Sequence, residues 1–292
     1  MFVGLVKADE LTQKMISRLQ EEADAFQRFA PQIIGKETLR QKALKPPSRF
    51  HPRVGEAAKA APQPQWKERE IVSEYAFANL GGDASELHEM RQVVSADGKR
   101  VEDPKKAQDT LAKIITSSDL ERKKQLLKEF EKYGLTGAVT DFGQLILLFH
   151  PRNIQRYEFS QRGVEILGNV QTFVFAYKQI DGPEAVTLFD SNHRDEASNL
   201  RAEGQVWVRA DNFLPVRISI AVNIAGDRDE AKSNIKEEAI VNYSMSRFGD
   251  LLPTTTDHRE MIGGKVTAEN HFEYTDFRKF GAASDISFET GK

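Results

Sequence analysis

The sequence predicts a mainly β chain with helices, an α+β fold built on an antiparallel sheet. Three observations point there. From residue 153 onward, apolar residues alternate with polar ones over stretches of strand length, and a period of two places them on one face. Turn formers punctuate those stretches at short, even spacing: Asp181-Gly182, Asp211-Asn212, Gly249-Asp250 and Gly263-Gly264. Between residues 104 and 149 the apolar period becomes helical instead.

The elements follow in chain order. Residues 1–6 are apolar, and Val6-Lys7-Ala8 resembles the small-x-Ala end of a secretory signal. The apolar run is short for a signal and lacks a basic segment before it, so it reads either as a signal remnant or as a ragged start. Asp9 can cap a helix over 9–30, where Ile16, Leu19, Ala23, Phe26 and Ala30 recur at helical spacing until Pro31 ends it. Residues 37–43 are a candidate first strand. Residues 45–65 carry Pro46, Pro47, Pro52, Pro62 and Pro64, the composition of an extended linker. The domain reading is therefore 1–44 as signal remnant, helix and first strand, 45–68 as a Pro-rich linker, and 69–292 as the β domain with a helical insertion at 104–149.

Within that domain, 69–80 and 86–95 read as strands, and Asp97-Gly98 is a hairpin turn. Pro104 opens a helix with Ala107, Leu111, Ile114 and Ile115. Ser118 with Glu121 has the form of a capping box for a second helix with Leu126, Leu127 and Phe130, which Gly134 would end. Asp141 with Gln144 could cap a short third helix over 145–149. The remaining strands are expected at 154–160, 170–180, 184–190, 205–209, 214–224, 234–245, 252–262, 266–275 and 284–289. In 214–224, Leu214, Val216, Ile218, Ile220, Val222 and Ile224 all fall on one parity. Fully burying each is worth about 1.5–3 kcal/mol, so that face calls for apolar cover.

Composition narrows the function. The chain has 292 residues, 39% hydrophobic and 29% charged, which fits a soluble globular protein. No run reaches the roughly 20 apolar residues of a spanning helix. The net charge of −3 and the lack of a clustered basic face argue against nucleic-acid binding. The absence of cysteine excludes disulfides, thiolate catalysis and cysteine-ligated zinc.

The hairpin around Trp207 carries a resemblance. Gly204-x-Val206-Trp207-Val208 leads by a short turn to Leu214-Pro215-x-Arg217-Ile218. This phrase, after an N-terminal helix and within a meander, resembles the LolA/LolB-like family of bacterial lipoprotein carriers and outer-membrane lipoprotein-sorting proteins. The segments EFEKYGLTGAVTDFGQLILLF and HFEYTDFRKFGAASDISF look like those of uncharacterised secreted bacterial proteins grouped with it. The resemblance implies a strongly curved antiparallel sheet or incomplete β-barrel with helices covering the concave face. It also implies a hydrophobic groove for acyl chains, lipid or acylated lipoprotein as partner, peripheral or transient membrane contact, and a periplasmic or secreted location. The Pro-rich 45–65 and the helical 104–149 are longer than the family pattern needs, and there is no lipobox cysteine.

The candidate groove residues are Phe173, Phe175, Tyr177, Trp207, Val216, Ile218, Ile220, Phe272 and Tyr274. They read in two ways: as the wall of an apolar ligand groove, or as a core sealed by the protein's own helices at 9–30 and 104–149. The second reading makes the chain an envelope interaction or sensor module of the same fold. No catalytic residue and no cofactor is expected. HExxH, P-loop and Gly-x-Ser-x-Gly patterns are absent. The His-carboxylate pairs at His88, His258 and His271 read as polar strand surface, with a joint His258–His271 site as the alternative. Residues 190–196, DSNHRDE, read as a solvated loop tip.

Overall fold

The computed structural model describes residues 2–45, 64–80, 87–135, 141–181, 201–224 and 235–279. The expected strands at 184–190 and 284–289, most of the Pro-rich stretch and the 190–196 loop tip lie outside them. Helix α1 (Phe2–Phe29) leads through a 3-10 turn, Ala30–Gln32, into β1 (Ile33–Lys45). Then come β2 (Gln65–Asn79), β3 (Leu87–Ala96), β4 (Lys99–Arg100), α2 (Pro104–Thr116) and α3 (Leu120–Glu131). A 3-10 segment, Phe142–Phe149, precedes β5 (Tyr157–Leu167), β6 (Val170–Gln179) and β7 (Glu203–Arg209). The last strands are β8 (Pro215–Ile224), β9 (Ile235–Met245), β10 (Leu251–Ile262) and β11 (Lys265–Lys279).

The strands form one open, curved antiparallel sheet of eleven, ordered β4-β3-β2-β1-β11-β10-β9-β8-β7-β6-β5. β1 lies between β2 and β11, so the sheet reaches outside the expected 69–292 and takes in the N-terminal strand. One row of side chains crosses most of it: Phe175, Val206, Ile218, Val241, Thr256, Phe272, Leu39 and Ile71 are successive cross-strand partners. None is more than 1% exposed. We call the face that carries this row the inner face.

The helices divide between the two faces. Met15, Leu19, Ala23 and Phe26 of α1 join the inner core with Phe142, Leu145, Ile146 and Phe149. Phe26 meets Phe77 edge-on at 5.2 Å between centroids. The residues expected to cover one face at 104–149 do not act as a block. Leu111 and Ile114 of α2 and Leu126 of α3 pack with Ile34, Ala76, Ala78 and Met90, on the outer face. The small Ala76 and Ala78 leave room there for a helix. Phe130 instead belongs to the inner core, so α3 crosses the sheet edge at its end.

Local chemistry explains the boundaries. Asp103 caps α2, accepting from the backbone N–H groups of Lys105 and Lys106 at 3.0 and 3.2 Å, with Pro104 just inside. The cap of α3 is Asp119, whose carboxylate accepts from Arg122 N–H at 3.0 Å, and not the expected Ser118. Asp97 and Gly98 have φ of 49° and 73°, the left-handed pair that a tight hairpin needs.

Candidate functional site

The nine groove candidates do not share one surface. Phe175, Tyr177, Ile218, Ile220, Phe272 and Tyr274 lie buried on the inner face, packed into the core with α1 and Phe142–Phe149. Phe173 is half-buried and stacks on Phe213 at 5.6 Å. Val216 is half-buried beside a register slip that pairs Trp207 with Arg217 but Val208 with Pro215. Trp207 points to the outer face. It pairs there with Val174; its indole N–H donates to Glu165 at 2.8 Å, and the Arg217 guanidinium sits 5.7 Å from its ring. The Trp and Arg of the family-like phrase thus pack on each other on the outer face. Its glycine has a separate reason. A Cβ on Gly204 would stand 2.0 Å from Ser219 O, on the path by which Tyr177 Oη donates to that carbonyl at 2.7 Å.

Around Tyr177 the aromatics interlock. Phe149 meets Tyr177 at 5.0 Å and Tyr157 and Phe159 at 5.7 Å. Burial pushes the Tyr177 and Tyr157 hydroxyls well above the usual tyrosine range. A groove of about 540 Å³ opens beside Phe159 and Tyr177. Glu158, Arg162, Lys178 and Glu203 also border it, so its chemistry is mixed.

The other half of the inner face holds what the sequence reading missed. Arg91 is 3% exposed and forks onto Glu37 through two bonds of 2.7 Å. It also donates to Glu89, which is 0% exposed. Its guanidinium lies 5.0 to 5.8 Å from the rings of Phe130, Tyr75 and Phe272. Glu89 accepts from Gly143 N–H at 2.5 Å. Burial, foremost, pushes its carboxyl up to about 8, against the pull of Arg91, with Asp141 and Glu37 adding to the rise. Asp141 does not cap the next segment as expected. It accepts from Glu89 N–H at 2.8 Å and meets His88 Nδ1 at 2.9 Å. Tyr243 Oη donates to Gly143 O at 3.1 Å and accepts from Ile146 N–H at 3.2 Å. The Phe142–Phe149 segment is therefore pinned at its start by polar groups and along its length by apolar ones.

The histidines correct a second expectation. His258 is 4% exposed, stacked on Phe142 at 4.7 Å, with Nε2 2.5 Å from Glu237 and Nδ1 2.9 Å from Asn270 Nδ2. It is interior, not polar strand surface. His271 pairs with Asp257, in the register position next to the His258–Asn270 pair, and so faces the opposite side. The two cannot form a joint site. Among the described residues no group of His, Asp and Glu is placed to hold a metal ion.

An open, curved antiparallel sheet with an N-terminal helix on its inner face is the architecture that the sequence resemblance implied. No known family description matches the chain, and no curated protein matches it. Solved structures do. A LolA-superfamily protein from Nitrosomonas europaea is similar at 11% identity and a TM-score of 0.36, over 90% of this chain and 92% of its own. A DUF1329-family protein from Desulfovibrio piger is similar at 10% identity and 0.39, over 94% and 97%. An outer membrane lipoprotein-sorting protein domain from Vibrio parahaemolyticus is similar at 10% identity and 0.32, over 93% and 97%. Among the described residues no helix is long and apolar enough to cross a membrane.

Proposed function

We propose that this chain is a non-enzymatic, carrier-like protein of the periplasm whose apolar inner face takes the acyl chains of a lipid or an acylated lipoprotein. One observation supports this reading above the rest. The inner surface of β5 and β6 does not end where its cover ends. From buried Phe175 it runs through half-buried Phe173 and Phe213 to Val164 and Ile166 at the sheet edge, 51% and 74% exposed. Aliphatic side chains left in water beside a continuous apolar row mark a contact surface for something apolar. Cargo would enter at this rim and spread inward by displacing the Phe149 and Phe159 rings and lifting α1. Membrane contact would be peripheral and brief, with the rim as the contacting part.

The test is direct. Protein purified from a periplasm is examined by native mass spectrometry, then titrated with a fluorescent fatty-acid probe. The expected result is co-purifying lipid and saturable probe uptake, both reduced by Phe173→Ser. Repeated absence of bound lipid together with no probe uptake would overturn the reading.

A further inference from the structure

We propose that Glu89 is a proton-operated latch: with its proton it seats the Phe142–Phe149 segment on the sheet, and without it the segment loosens. The proposal concerns the fold's own movement and stands whether or not the inner face carries lipid.

The geometry carries the argument. Glu89 reaches from β3 to the first turn of the segment, where Gly143 N–H donates to its Oε1 at 2.5 Å. The approach is so close that a Cβ on residue 143 would lie 2.6 Å from that oxygen and 2.8 Å from Tyr75 Oη. Charge counting then decides the protonation state. One guanidinium, Arg91, faces two carboxylates, Glu37 and Glu89, and all three are at most 3% exposed. Glu37 takes the two-pronged contact. A second carboxylate charge in the same dry site has no cation of its own, so the neutral form is favoured there. Asp141 does not supply one. Its charge lies beside Glu89 and raises the cost of ionising it, while its own partner is His88.

The remaining groups around Glu89 bring no further positive charge. Tyr75 Oη is fully buried close to Gly143 and has no hydrogen-bond partner among the described residues, Glu89 included. Tyr75, Tyr243 and Tyr274 all feel the Glu89 charge, and burial keeps their hydroxyls protonated. His258, paired with Glu237, stacks on Phe142 at the start of the segment.

The sign follows from where the carboxyl sits in each state. Seated, Glu89 titrates near 8; unseated and hydrated, it returns toward 4.5. Both states hold the proton below the lower value, so seating is then at its firmest. As pH rises from 4.5 toward 8 the unseated state releases a proton that the seated state retains, and opening gains about tenfold per pH unit. Above 8 the gain stops.

Hydrogen exchange of the full chain reads this directly. Intrinsic exchange rises about tenfold per pH unit, and the latch adds about tenfold more for amides exposed by local opening. In the wild type, peptides spanning 142–149 should therefore gain about a hundredfold per unit in that window, against tenfold in a control of amides at the exposed ends of α2 and of edge strand β5, which fray without releasing Glu89. In Glu89→Gln, which cannot ionise, the segment should follow the tenfold control. An equal tenfold slope in segment and control of the wild type would overturn the proposal. So would a steep slope that survives in Glu89→Gln. Should that variant not fold, the ¹³C carboxyl resonance of Glu89 in the wild type decides. An inflection near 8 supports the latch, and one in the ordinary carboxylate range near 4.3 overturns it.

Discussion

The two halves of the inner face are built on the same strand geometry with opposite chemistry. Over β6–β9 the covered inward positions include Phe175, Tyr177, Val206, Val208, Ile218, Ile220 and Val241, all within 2% of complete burial. Over β1–β3 and β10–β11 they include Glu37, Gln41, Ser73, Glu89, Arg91, His258 and Asn270, all at most 4% exposed. Apolar packing has no direction, so the first half can rearrange around a guest at modest cost. Buried ions and hydrogen bonds hold one geometry only, and a half-made network is costly. The first half is thus suited to yield and the second to hold the cover in register. The cover spans both: Phe149 lies on the yielding half and Gly143 on the fixed one.

The largest expected effect breaks the fixed half. Arg91→Met removes the guanidinium and leaves Glu37 and Glu89 facing each other in a dry site. Uncoupling a buried ion network this way costs about 3–5 kcal/mol, read as a lower urea midpoint. Adding Glu37→Gln and Glu89→Gln to Arg91→Met should recover much of the loss, because the uncompensated charge is then gone. If the triple variant is no more stable than the single one, the chief role of Arg91 is its packing against Phe130, Tyr75 and Phe272.

Stability against pH sharpens the same contrast. Burial raises the carboxyls of Glu22, Glu74 and Glu89 above the ordinary range. Each holds its proton more tightly in the folded chain than in the unfolded one. Folding stability should therefore fall as pH rises above 4.5, with the Glu89 share spent near 8. The lowered carboxyls of Glu102, Asp211 and Glu273 act in the opposite sense, but they are exposed and solvent screens them. Urea titrations of Glu89→Gln against wild type across that range should converge at low pH and separate at high pH, with the variant the more stable.

How far the sequence speaks differs between the halves for a physical reason. The yielding half was largely legible, since Phe173-x-Phe175-x-Tyr177 and Ile218-x-Ile220 alternate at the strand period. What it concealed were local register slips. The slip between Trp207 and Val208 pairs Val208 with Pro215 and displaces Val216, whereas Trp207 faces outward, opposite to the groove it was expected to line, by the alternation itself, between inward Val206 and Val208. In the fixed half the same alternation misled. The His88-Glu89 pair read as polar strand surface, and Arg91 drew no reading, because single-strand patterns count charge and not partners. A weak signal was present: Leu87 and Val93 share the parity of Glu89 and Arg91, as Leu39 and Ala43 share that of Glu37 and Gln41. The pairing of β1 with β11 joins chain ends that no local pattern connects. Nothing in the helical period of 104–131 told which side of the sheet α2 would take.

Gly204→Ala tests the boundary between the halves. The new methyl would drive into Ser219 O and the Tyr177 hydroxyl, and the expected loss is about 1–3 kcal/mol by thermal melting. Ile220→Val, deep in the yielding half, should cost less, about 0.5–1.5 kcal/mol.

The smallest effect on stability should come with the most informative effect on binding. Ile166 is 74% exposed on an edge strand, so Ile166→Ser removes little buried contact and should change stability by no more than about 0.5 kcal/mol. If the rim is where apolar cargo enters, the same change should weaken fatty-acid probe uptake severalfold. Ile220→Val, which alters the interior by one methylene, should leave uptake nearly unchanged. The opposite ranking, with uptake sensitive to Ile220 and indifferent to Ile166, would move the entrance away from β5. It would leave the exposed pair Val164 and Ile166 as ordinary edge residues beside a register slip at Gln161–Gly163.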